Sequence, residues 1–168
     1  MTTLRFDVND AAVRDGFFRE QLVLALAALE EGATARWGAM TAQQMVEHLA
    51  WGFELSTGRA AVECTVPEER RERYKAFLHD NTPMMHEFRN PVLVAGLPPL
   101  RHPGLERAKA ALAREVRWFL DYGRLAPGAL HVHPVFGPLN AQEWSRAHFK
   151  HAYHHLLQFA LIEDPGRD

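Results

Sequence analysis

A chain of 168 residues, 47% hydrophobic and 24% charged, has the size and balance of one globular domain, residues 1–168, built on one core. A net charge of −2 with neutral histidines offers no electrostatic footing for nucleic acid or an anionic membrane surface. The lone cysteine, Cys64, excludes an internal disulfide, and no apolar run reaches the roughly 20 residues of a membrane span.

The start lacks a signal peptide's basic and apolar segments, so a cytoplasmic setting is expected. In chain order, the first helix is expected over 10–29, with Asp10 as N-cap and Gly32 as its stop. Val13, Phe17, Leu24 and Ala28 recur at helical spacing and are expected to face the core. A second helix begins after Thr41, which forms a capping box with Gln44, and runs to about Leu55, ahead of Gly58. Residues 58–103 hold Pro67, Pro83, Pro91, Pro98, Pro99 and Pro103, so no long helix crosses them. A short charged helix over 68–78 is expected there, within a long irregular insertion of the kind that shapes binding sites. A third long helix covers 105–121, with Gly123 beyond its end, and residues 126–139 read as a loop. The fourth starts after Asn140, which forms a capping box with Glu143, and continues to about Ile162, before Pro165-Gly166. With no strand alternation, the pattern is all-α: a four-helix bundle with the insertion between its second and third long helices.

Ten histidines are unusual, and four of them fall between His148 and His155. On a wheel at about 100° per residue, His155 lies about 40° from His151, His148 about 60° from it, and His154 about −60°. Residues four apart point the same way one turn apart, so His151 and His155 can reach one ion at about 2.0–2.1 Å. His148 and His154 sit at the edges of this stripe. A third ligand must come from another helix, and His48 is the natural candidate. It shares the apolar face of the second helix with Met45, Gly52 and Leu55, and Gly52 leaves space one turn later. Each imidazole buried without a metal or a hydrogen-bond partner costs about 1–3 kcal/mol.

Two segments resemble the DinB-like (DinB/YfiT) superfamily of metal-binding four-helix bundles. The first is Trp37-Gly-Ala-Met-Thr-Ala-Gln-Gln-Met-Val-Glu-His48, similar to that family's second helix with its single histidine. The second runs from His133-Pro-Val-Phe-Gly-Pro-Leu through Trp144 into His151-Ala-Tyr-His-His155-Leu-Leu-Gln158-Phe. It is similar to the final helix and, more narrowly, to a subgroup known only as a domain of unknown function. The resemblance implies His48, His151 and His155 as ligands and frequent homodimers. His148 and His154 are surplus to that pattern and stay open as further ligands or supports.

Three imidazoles with open coordination positions suit one catalytic divalent ion, zinc or nickel first, with iron, cobalt and manganese next. The leading expectation is a metal-dependent enzyme of the hydrolase or thiol-dependent transferase class. It would act on a small molecule, a thiol among the candidates, with Gln158 orienting a ligand. The alternative is a non-catalytic, metal-stabilised binding or stress-response bundle; a third reading is an interaction protein with protonation-sensitive histidines. No general base stands out, and Glu47 reads as a solvated helix residue. Phe149, Tyr153, Leu156 and Leu157 leave the fourth helix apolar nearly all round, so it is either central or covered by a second copy. His79, His86, His102, His131 and His133 read as surface or hydrogen-bonded histidines, and Arg70, Arg71 and Arg73 as a solvated face.

Overall fold

The computed structural model describes residues 2–86 and 96–164; Pro91 and the Pro165-Gly166 pair lie outside them. Helices dominate, with two very short sheets. Asp10 caps the first helix, its carboxylate accepting from the N–H groups of Ala12 and Val13. The rod then passes through α1 (Ala11–Gly16), a π-helical turn (Phe17–Gln21) and α2 (Leu22–Ala27).

The π turn overturns part of the expected core. In a regular helix Leu24 lies beneath Phe17, but one inserted residue turns everything after it back by about 100°. Leu22 and Leu26 therefore join Phe17 and Phe18 in the core, while Leu24 is 63% exposed. Ala28 is exposed as well, and Val13 packs only partly buried.

Helix α3 (Ala42–Ser56) starts on the expected capping box, with both halves formed by Thr41 and Gln44. It is buried along most of its length. At Gly58, φ is +72°, and the His131 ring occupies the space that a Cβ would need. Helix α4 (Glu68–Lys75) continues into a 3-10 turn, Ala76–His79. Helix α5 (Leu105–Leu125) buries Leu105, Ala108, Leu112, Val116 and Phe119 at helical spacing and packs chiefly on α3. It runs through Gly123, which was expected beyond its end. A Cβ there would stand 3.4 Å from the Ala141 Cβ, where the next helix begins.

The stretch 126–139 is not a simple loop. It contains a hairpin, β2 (His131–His133) antiparallel to β3 (Gly137–Leu139), with His131 opposite Leu139 and His133 opposite Gly137. Three-residue strands are too short for alternation to register in sequence. Helix α6 (Ala141–Gln158) opens on the Asn140–Glu143 capping box and stops at Gln158, short of the expected Ile162. Ala160, at φ +55°, turns the chain, and β4 (Ile162–Glu163) pairs in parallel with β1 (Thr2–Thr3), joining the two ends.

The apolar reverse side of α6 is covered from within the chain. Phe6 stacks on Phe149 at 5.3 Å between ring centres, Phe17 meets Phe149 edge-on, and the Tyr153 hydroxyl donates to the Leu4 carbonyl. Among the described residues, no helix is long and apolar enough to cross a membrane.

Candidate metal centre

Helices α3 and α6 bring three histidines to one point. The Nε2 atom of His151 lies 2.9 Å from Nε2 of His48 and 3.0 Å from Nε2 of His155. One nitrogen from each of the three lies within 4.8 Å of the others. Nitrogens bound to one ion at about 2.0–2.1 Å stand about 3 Å apart when they meet it at a right angle. The donor set fits a divalent metal ion.

The tautomer of His155 strengthens that fit. The Gln158 amide nitrogen donates to the Trp37 carbonyl at 2.7 Å, and a carbonyl can only accept. The amide oxygen of Gln158 is thereby turned to Nδ1 of His155, 2.7 Å away, so Nδ1 carries the proton. The remaining nitrogen, Nε2, is left as a bare lone pair facing the cluster. Gln158 is itself held in place. Its backbone carbonyl accepts from the Arg36 N–H, and Gly38, at φ +77°, lets the loop pass where a Cβ would come within 2.8 Å of the amide nitrogen.

Burial keeps all three rings neutral. It lowers His48 to a pKa of about 4, with His154 adding to the effect. Burial, then the neighbouring histidines, pushes His151 and His155 well below the ordinary value. Neutral imidazole is the ligand form, so the site needs no proton loss near neutral pH.

The three histidines lie along a cavity of about 930 Å³. Trp37, Met40, Phe77 and Phe136 contribute apolar wall, and no carboxylate lines it among the described residues. His154 forms another part of the wall. It accepts from the Trp37 indole N–H at 3.5 Å and bonds the Met84 backbone, and burial lowers it to about 4. Trp37 in turn stacks on His86 with ring centres 3.8 Å apart. Cys64 is not among the lining residues.

His148 lies elsewhere. Its ring stacks on Phe53 at 3.9 Å and on Trp144 at 5.1 Å, inside the aromatic core, with Nε2 buried and unpartnered. It also fills the space at Gly52, 3.8 Å from where a Cβ would stand. The gap expected beside His48 therefore serves a different histidine.

One charged side chain departs from its sequence reading, and a second enters that had none. Glu47 is buried rather than solvated. Burial pushes its carboxyl up, but bonds from the Arg101 N–H, the Gln43 amide and the His102 N–H outweigh it, and the pKa falls below the ordinary value. Glu47 thus pins the 101–102 backbone to the helix carrying His48. Lys150 was not singled out by sequence reasoning. It is 2% exposed, donates to Asp80 and to the Thr82 carbonyl, and sits 3.5 Å above the Phe77 ring. Its position next to His151 in the helix was the available signal, but only the fold shows the 80–82 segment folded over it.

Among the remaining histidines, His131 pairs with the Tyr122 hydroxyl at 2.8 Å. His133 accepts from the N–H groups of Val135 and Phe136 through Nδ1, and burial lowers it to about 3. Arg70 and Arg73 are exposed, as expected of a solvated face, yet both line the cavity.

Over residues 81–161 the chain is similar to a family described as "Protein of unknown function (DUF1569)". The match takes in the hairpin, α6, His151 and His155, and leaves His48 outside it. No curated protein and no solved structure matches the chain.

Proposed function

We propose that the chain is a metal-dependent enzyme of the hydrolase or thiol-dependent transferase class, built as a DinB-like four-helix bundle. The α1–α2 rod, α3, α5 and α6 are its four long helices. The observation that supports this most is the placement of three neutral imidazoles along an open cavity. Structural zinc is ordinarily sealed by four protein ligands, whereas a catalytic ion keeps a position free. His48, His151 and His155 would hold the ion, with zinc and nickel suiting this donor set best. A bound divalent ion supplies Lewis acidity and lowers the pKa of a bound water or thiol. Gln158 holds His155 in the ligating tautomer, and Trp37 and His154 form part of the cavity wall beside it.

Elemental analysis of the purified full chain, beside His48→Ala, tests the reading. We expect about one equivalent of a divalent metal in the parent and little in the variant, on the ligand count of a three-histidine site. A parent free of metal and indifferent to added zinc and nickel removes the proposal. The metal-stabilised binding bundle predicts the same metal content without turnover. The size and accessibility of the cavity favour the enzyme.

A further inference from the structure

The cavity above the histidines has a charge pattern that selects its ligand. Arg70, Arg73, Tyr74, Phe77 and Leu78 all line it, and they form one face of α4 and its 3-10 extension at spacings of three and four residues. Glu68, Glu69 and Glu72 on the same helix do not line it. Among the described residues neither Arg70 nor Arg73 has a carboxylate partner. Lys150 also lines the cavity, but its ammonium is already committed to Asp80 and Thr82. Among the described residues, the uncommitted formal charges along these walls are therefore those of Arg70 and Arg73. Between them and the histidines the wall is largely apolar.

We propose that this cavity binds a carboxylate with an apolar body, its acid group taken by Arg70 and Arg73 and its apolar body lying along Phe77 and Met40. The inference rests on the enzyme reading above and names the substrate class of the same site. A cavity of about 930 Å³ accommodates a ligand of this size. Guanidinium–carboxylate pairing supplies the orientation, because its planar donors match both oxygens.

Calorimetric titration of the full chain with decanoate, decanamide and decylamine tests it, with metal content measured on every sample. Decanoate binds, and decylamine binds at least about tenfold more weakly, as expected when the cation meets two arginines. The double variant Arg70→Gln/Arg73→Gln loses about tenfold in decanoate affinity and leaves decanamide unchanged. Arg70→Glu/Arg73→Glu reverses the preference toward decylamine. Both variants change exposed residues, and unchanged far-ultraviolet circular dichroism checks their folding. Equal affinity for acid and amine overturns the inference, as does undiminished decanoate binding by the glutamine variant. Loss of decanoate binding in His48→Ala alone, with the arginine variants unaffected, also overturns it by putting the acid group on the metal. Metal-loaded protein that ignores decanoate sinks this inference alone. Protein that binds decanoate but no metal sinks the enzyme reading alone.

Discussion

Gln158 shows how one side chain conditions a site it does not complete. Its amide is oriented by the Trp37 carbonyl and in turn sets the proton of His155. Gln158→Leu removes that control while keeping an apolar side chain of similar size. We expect metal affinity to fall about 10–100-fold, measured by competition with a chromophoric chelator. His133 carries a different consequence. Its folded-state pKa of about 3 lies below the ordinary 6.5, so the folded chain favours the neutral ring. Its contribution to stability is complete above pH 6.5 and is lost as pH falls from 6.5 toward about 3. His133→Phe should flatten the dependence of urea-unfolding free energy on pH in that window by up to about one proton. An unchanged slope would show that the ring is not kept neutral. At this scale the sequence was readable where chemistry follows residue type, as at His151 and His155. It was misleading at Glu47, whose helical angle pointed away from His48 but not away from the 101–102 backbone that covers it.

Caps and loops decide how the elements place the three clustered histidines. Thr41 and Asn140 both begin helices that carry the clustered histidines, and both capping boxes form as their sequence spacing predicts. Thr41→Ala should cost about 1 kcal/mol in chemical denaturation with metal content unchanged, because the cap lies nearly two turns from His48. Gly38→Ala should behave differently. The added Cβ must adopt φ +77° and meets the Gln158 amide at 2.8 Å. We expect a loss of about 1–3 kcal/mol in stability together with weaker metal binding, since the loop and the amide shift as one unit. If stability falls while metal affinity holds, the Trp37–Gln158 link does not support the site. The π turn in the first helix and the hairpin before α6 were both missed. A π turn leaves the composition of a helix intact and changes only its phase, and three-residue strands carry almost no periodic signal.

For the whole molecule, the convergence of α3 and α6 would couple the binding of a metal ion to folding. The unfolded chain does not hold His48 beside His151, 103 positions away, so an ion that binds the three rings must favour the folded state. Chelation should therefore lower the melting temperature, and zinc at about 100 times its Kd should add about 2.7 kcal/mol. Melting curves that coincide with and without chelator would show that no ion is bound at this point. The sequence by itself determined where the main helices lie, the caps at Asp10, Thr41 and Asn140, and the shared face of His151 and His155. All of these follow from interactions within one or two turns of chain, where spacing dictates geometry. Only the tertiary structure decided that His48 meets that pair, that the Trp37 carbonyl turns the Gln158 amide oxygen toward His155, and that Arg70 and Arg73 overlook the same cavity as the histidines. Those relations join residues far apart in sequence, and they arise from how helix faces pack, which no local spacing encodes.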